Sequence, residues 1–319
     1  MGILFLVFQQ TMFFSIPLLI VALGGVFTER SGVTNIALDG MMIMGAFTSI
    51  FFINQMEDTM SGQALLILAI VIATATGTVF SLLHAYAAVN LKADQIISGT
   101  ALNMFAPAFA IFTARMIQKN GVQQINFTNT FRIPSVPVLG DIPVIGGLFF
   151  KNAYITTYIG FVILILAVIV LYKTKFGLRL RACGEHPHAA DSVGINVYKM
   201  RYAGVMISGA LAGLGGLVFV IPTSTNFNET VAGYGFLALA VMIFGQWKPL
   251  RVLFAAFFFG LMKTVASAYS VIPILSTSNI PSDIYKMVPF IATLIVLAFS
   301  SRSSQAPKAV AVPYDKGSR

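Results

Sequence analysis

The sequence predicts an all-α polytopic membrane protein with about nine transmembrane helices, within a range of about eight to ten. Composition points there first: 57% of residues are hydrophobic and 10% charged, and the mean hydropathy is +0.85. A soluble domain carries about 25% charged residues. Uncharged runs that approach or exceed the roughly 20 residues of a bilayer crossing recur along the chain. They include Gly2–Phe27, Thr59–Leu83, Gln95–Ala114, Asn152–Tyr172 and Tyr202–Asn228. These runs are longer than barrel strands and lack strict alternation, so they read as helices.

Taken in order, the helices fall at roughly 3–27, 36–53, 64–89, 96–115, 153–172, 202–221, 231–246, 252–271 and 284–300. The first has no Lys or Arg ahead of its apolar region and no Ala-x-Ala site, so it reads as a helix rather than a cleaved signal. The second follows T-E-R-S-G-V-T-N, where Thr34 or Asn35 is placed to cap it and Asp39 falls within or just beyond its first turn. Between the fourth and fifth helices, residues 116–152 carry Pro134, Pro137, Pro143, Gly140, Gly146 and Gly147 among apolar residues. This reads as a folded lid or surface-lying segment. In the sixth helix Ser208, Ala212 and Gly216 recur four apart, as do Gly209 and Gly213, a face that lets membrane helices pack backbone to backbone. Residues 1–300 thus form one transmembrane domain, and the polar, Pro-containing 301–319 reads as a disordered tail.

Charge tests this arrangement. If the 173–201 loop is cytoplasmic, fourteen of the twenty Lys and Arg residues lie in inside segments, and the outside loops hold only Lys119, Arg132 and Lys151. The net charge of +9 is then explained by the positive-inside rule, without nucleic acid as a partner. Nine crossings put the N-terminus outside and the C-terminus inside. Cys183 is the sole cysteine, which excludes an internal disulfide and a cysteine-based metal cluster. His186 and His188, without a third His beside them, do not make a metal site. There is no G-x-x-x-x-G-K-[ST] loop, so the chain does not hydrolyse ATP by that chemistry.

The 173–201 loop, K-T-K-F-G-L-R-L-R-A-C-G-E-H-P-H-A-A-D-S-V-G-I-N-V-Y-K-M-R, is too polar for the bilayer and too patterned for a linker. Pro187, after Glu185 and His186, is placed to open a short helix, and Gly194 to end or kink it. Ala189, Ala190, Val193 and Val197 fall at helical spacing as a small apolar stripe suited to a groove on a cytoplasmic partner.

The spacing Ala189-Ala190-x-x-x-Gly194 resembles the core of the coupling-loop signature of ABC-transporter permeases, Glu-Ala-Ala-x-x-x-Gly, with His188 in the acidic position. Two further stretches strengthen the resemblance. G-G-V-F-T-E-R-S-G-V-T-N-I-A-L-D-G-M-M, from Gly24 to Met42, is similar to the guanosine-type permeases of the bacterial simple-sugar and nucleoside importer branch. I-S-G-A-L-A-G-L-G-G, from Ile207 to Gly216, also looks like the permeases of that branch. The resemblance runs from about residue 15 to 300 and implies a type II ABC-importer bundle.

It also implies a nonenzymatic subunit that forms half of a nucleoside path in the bacterial plasma membrane. Its implied partners are a second homologous permease, a cytoplasmic ABC ATPase that binds ATP and Mg, and an extracytoplasmic substrate-binding lipoprotein. The expected ATPase-coupling residues are Gly184, Glu185, His186, Pro187, His188, Ala189, Ala190, Val193 and Gly194.

A path for a neutral polar nucleoside needs amides, hydroxyls and aromatic faces. The candidates are Asn35, Asp39, Asn103, Phe105, Lys263 and Tyr269, with Asn35 and Asp39 as an inner-gate pair. A simple-sugar or riboflavin permease is the alternative within the class. An ion-coupled secondary transporter using Asp39 or Lys263 is the alternative outside it.

Overall fold

The computed structural model describes residues 2–118, 121–268, 281–300 and 305–317. The helices are α1 (Gly2–Arg30), α2 (Leu38–Met56), α3 (Gly62–Val89), α4 (Gln95–Ile117), α5 (Ile155–Lys173), α6 (Lys175–Glu185), α7 (Pro187–Ser192), α8 (Val197–Thr223), α9 (Tyr234–Phe244), α10 (Pro249–Ala268) and α11 (Ser282–Ser300). Four short strands join them: β1 (Ile125–Asn126), β2 (Ile133–Ser135), β3 (Lys151–Ala153) and β4 (Asn226–Phe227).

Six helices among the described residues, α1, α3, α4, α5, α8 and α10, are long and apolar enough to cross a membrane. The most apolar window of α1 is fully buried within the protein and that of α8 is 72% buried, against 17% for α4. So α1 and α8 form the centre of the bundle, and α4 lies at its edge. The small-residue face of α8 makes this possible. A Cβ on Gly213 would lie 2.3 Å from Ala73 O in α3, and one on Gly45 of α2 would lie 2.4 Å from Gly213 itself. The three helices meet backbone to backbone, where lipid offers no hydrophobic incentive and close packing supplies the attraction.

Two ends of the bundle are distinct. At one end Asn54 Nδ2 donates to Asn126 O, Gln63 Nε2 to Phe131 O, Asn129 Nδ2 to Ile221 O and Gln9 Nε2 to Gly147 O. The described part of the connection between α4 and α5, residues 121–154, is folded here: β1 pairs with β4, β2 pairs with β3, and Phe127 and Phe131 are buried. The other end gathers the C-termini of α1 and α3, the N-termini of α4 and α8, and α6 and α7.

The crossing expected as a helix at 231–246 is built differently. α9 has 11 residues, which at 1.5 Å per residue reach about 16 Å, roughly half of a hydrocarbon core. The chain leaves β4 at the first end, runs inward without helix past Glu229 and Val231, and becomes helical only at Tyr234. Trp247, just beyond α9, lies at the opposite end against Glu29. Irregular backbone and a half-helix therefore share one traverse. Non-helical backbone at this depth is tolerated because it is buried in protein rather than exposed to lipid: Glu229 and Val231 are both buried.

The tail also departs from the sequence reading. Residues 305–317, expected to be disordered, pack on the α6–α7 end with Ala309 and Tyr314 buried.

Candidate coupling surface and mid-depth cluster

The phrase T-E-R-S-G-V-T-N ends a helix and starts a descent. Gly32, at φ +93°, is the left-handed residue that terminates α1. Val33 N donates to Thr28 O at 3.2 Å and Gly32 N to Glu29 O at 2.9 Å, the paired bonds of a Schellman cap. The Thr28 hydroxyl donates to Val33 O at 3.0 Å. Glu29, fixed on this last turn, is buried and accepts the Trp247 indole N–H at 2.5 Å. Arg30 faces α6, its guanidinium 3.5 Å from Glu185.

α6 opens with Thr174 Oγ1 accepting from Gly177 N at 3.1 Å. It buries Leu180, Cys183 and Gly184. A Cβ on Gly184 would stand 2.4 Å from Arg30 O, so the end of α1 rests directly on α6 backbone. Burial pushes the Cys183 thiol up to about 11, with the nearby Arg201 charge drawing it partly back, so at neutral pH it is an unreactive thiol.

α7 begins at Pro187, as the sequence predicts, and its end is another Schellman cap. Gly194, at φ +83°, donates to Asp191 O at 2.9 Å, and Ile195 N donates to Ala190 O at 3.0 Å. The expected apolar stripe is split. Ala190 (3% exposed) and Val197 (1%) face inward, whereas Val193 is 75% exposed, and Ala189 lies on its side with His186, His188, Ser192 and Gly194. The outward face of α7 is therefore small, shallow and nearly uncharged.

The path candidates among the described residues fall in several places, and Asn35 and Asp39, expected as a pair, part company. Asn35 is fully buried: Nδ2 donates to Ser208 Oγ at 2.9 Å, and Oδ1 accepts from Ala37 N at 3.1 Å. It holds the descending link to α8 and does not cap α2, whose preceding residue Ala37 has no side-chain bond. Asp39 instead reaches α9, where Oδ1 accepts from Gly235 N at 2.9 Å. A Cβ on Gly235 would come within 2.2 Å of Asp39 N. Asp39 thus sits in the first turn of its own helix and also satisfies a free N–H in the first turn of α9, two positive helix ends at once.

Asn103 spans the start of α2, accepting from Gly40 N at 2.7 Å and donating to Ile36 O at 2.8 Å. Lys263 Nζ lies 5.7 Å over the Tyr234 ring, which also faces Phe219 with ring centroids 4.1 Å apart. Phe105 is half-exposed on α4, stacked between Phe80 and Phe109. Tyr269 lies outside the described residues.

Asp39, Lys263 and Tyr234 therefore collect around the start of α9, Asn103 braces the start of α2, and Asn35 and Phe105 stand apart. Four contributors escape the sequence reading. His84 is buried in α3 and bridges Thr34 O (2.8 Å) and Ser98 Oγ (2.9 Å). The others are Trp247, the buried Arg201, and Glu229, whose two carboxylate oxygens are buried without a hydrogen bond. A lone His in an apolar helix and the only Trp were the signals available. Nothing in the sequence marks Glu229 or Arg201.

The family described as "Branched-chain amino acid transport system / permease component" matches residues 7–297. The chain is 44% identical over 318 residues to the guanosine ABC transporter permease protein NupQ of Bacillus subtilis, covering 99% of this chain and 98% of that one. It is 43% identical over 312 residues to the nucleoside ABC transporter permease protein NupC of Lactococcus lactis, covering 98% and 97%. It is also 25% identical over 314 residues to NupB, another nucleoside ABC transporter permease protein of the same strain, covering 95% and 84%. No solved structure matches. With its single bundle matched almost end to end, this chain belongs to the family of transport-system permease components.

Proposed function

We propose that the chain is the membrane permease subunit of an ATP-driven importer, forming half of a path for nucleosides. The observation that carries the reading is near-end-to-end similarity, at 44% and 43% identity, to permeases named for guanosine and nucleoside transport. Its neutral polar mid-depth groups, Asn103 and the Tyr234 hydroxyl, suit a substrate that is uncharged and rich in hydrogen-bonding groups.

The α6–α7 end lies in the cytoplasm on this reading. It bears Arg30, Lys92, Lys173, Lys175, Arg179, Arg181, Lys199, Arg201, Lys248, Arg251, Lys308 and Lys316, whereas Arg115, Arg132 and Lys151 mark the opposite end. That asymmetry accords with the positive-inside rule, and on this reading the N-terminus is outside and the C-terminus inside. The outward face of α7, with Ala189 and Val193, docks into a cytoplasmic ABC ATPase, which holds ATP and Mg. A second, related permease completes the path, as suggested by the two distinct permeases named for nucleoside transport in one Lactococcus strain. A lipoprotein at the strand-bearing end delivers substrate.

Thrust on α7 passes through Gly184 and Glu185 to the end of α1, and through Glu29 to Trp247 at the foot of α10. Rigid-body switching of packed helices then alternates access.

The test is uptake of labelled guanosine, ribose and riboflavin by proteoliposomes holding this chain with its ATPase, second permease and lipoprotein. ATP-dependent guanosine uptake is expected. Uptake of ribose or riboflavin alone overturns the substrate. Transport by this chain alone on a proton or sodium gradient overturns the class.

A further inference from the structure

A six-residue helix has no stability of its own, and α7 buries only Ala190 against the protein. What seats it is the end of the chain. Tyr314 is 3% exposed and packs in one small apolar cluster with Cys183, Ala190 and Val197. Its ring lies 5.1 Å from the His188 ring and 5.4 Å from that of Tyr198. The guanidinium of Arg201, itself buried with Nε and Nη2 making no hydrogen bond, lies 6.0 Å from the same ring. A cation over an aromatic face gains most where water is excluded.

The residues around Tyr314 tie it to every neighbouring element. Ala309 N donates to Gly184 O at 2.8 Å, and Gln305 N donates to Gln246 Oε1 at 3.0 Å. Asp315 pairs with Lys92 at the end of α3 at 2.8 Å, and Lys316 lies 3.9 Å from Asp191 of α7. Apart from the edge contact with the exposed His188 ring, these contacts are on the inward side of α7, while Ala189, Ser192 and Val193 stay exposed. The segment backs the helix and leaves its outer face open.

We propose that residues 305–317 are a strap that seats α7 on the membrane domain, with Tyr314 as the positioning residue, so that force on α7 reaches α1, α3 and α8 without being lost to local rocking. The proposal rests on the reading of α7 as the ATPase-coupling helix. The strap is a fixed part of the coupling machinery: it presents Ala189 and Val193 outward and does not occlude them.

Three variants test it: a stop after residue 304, Tyr314→Ala and Tyr314→Phe. Hydrogen–deuterium exchange is read on the purified full chain and on Tyr314→Ala. Faster exchange over residues 187–192 in the alanine variant, on the order of tenfold, with α5 unchanged, is expected from loss of the seat. Unchanged exchange there overturns the strap. This arm needs no transport, so it judges the strap even if nucleosides prove to be the wrong substrate.

In proteoliposomes with the ATPase, second permease and lipoprotein, the truncated chain and Tyr314→Ala should lose guanosine uptake while ATP hydrolysed per guanosine rises. Tyr314→Phe, which keeps the ring, should match the wild type. Wild-type uptake by the truncated chain also overturns the proposal. Absence of uptake by the intact wild-type complex would instead count against the nucleoside reading.

Discussion

Trp247 Nε1 donates to Glu29 Oε2 at 2.5 Å, and both side chains are buried. One residue ends α1 and the other links α9 to α10, so the bond fastens three helices at one point. Arg30, next in sequence, adds a long contact from Nη2 to Trp247 O at 3.4 Å. Removing the indole donor leaves a buried carboxylate without that bond, at a cost of about 1–3 kcal/mol. Trp247→Phe should therefore lower the melting temperature of the purified chain. Adding Glu29→Gln should restore part of the loss, because an amide is cheaper to leave unpaired than a carboxylate. The double-mutant cycle measures the coupling, and strictly additive losses would show that the two residues act independently.

Asp39 reaches across to cap another helix, so its acceptor oxygen matters more than its charge. Asp39→Asn keeps an oxygen for Gly235 N and should stay close to wild-type stability. Asp39→Ala should lose about 0.5–2 kcal/mol, the range for removing a helix cap. Gly235→Ala should be worse than either, since its Cβ would meet Asp39 backbone at 2.2 Å. Thermal melts of the three variants in detergent give the order directly. An asparagine variant as unstable as the alanine one would mean that the charge itself is needed at the two helix ends.

Much of the bundle was legible because the bilayer demands long apolar runs, and α1, α3, α4, α5, α8 and α10 coincide with such runs. The half-helix was not. The apolar stretch around 231–246 reads alike whether it is helical throughout or only from Tyr234; the pairing of β4 with β1, a contact distant in sequence, decides. Asn35 and Asp39 are one helical turn apart on paper, but α2 begins only at Leu38, so their side chains part towards α8 and α9. Pro187 and Gly194 marked both ends of α7 correctly. Of the two adjacent alanines, Ala190 faces inward against Cys183, Val197 and Tyr314, a partner far along the chain, and a single aromatic residue in a polar tail was the one clue to that packing.

Glu229 is buried with both carboxylate oxygens making no hydrogen bond. Leaving a buried polar group unsatisfied costs about 1–3 kcal/mol, and more when it is charged. Glu229→Gln should therefore raise the melting temperature of the purified chain, because an unpaired amide costs less to bury than an unpaired carboxylate. Thermal melts of the two proteins check it, and identical melting temperatures would show that Glu229 carries no such penalty.

The two faces of α7 should respond differently to the same change. Ala189 and Val193 point outward, so Ala189→Arg and Val193→Glu place their charge in water and leave the chain as stable as before. On a docking face they obstruct the partner: uptake should fall steeply while the melting temperature stays within the small range of surface substitutions, about ±0.5 kcal/mol in stability. Ala190→Arg instead forces a guanidinium into the cluster of Cys183, Val197 and Tyr314. It should destabilise the end of the bundle before any partner is added. Gly194→Trp falls between them. The space beside Gly194 is open, but φ +83° is a conformation that a tryptophan adopts only under strain, at a cost of roughly 1–2 kcal/mol. Copurification with the ATPase, read beside thermal melts, separates the cases. If Ala189→Arg and Val193→Glu bind the ATPase and transport as well as the wild type, the outward face of α7 is not where the ATPase docks.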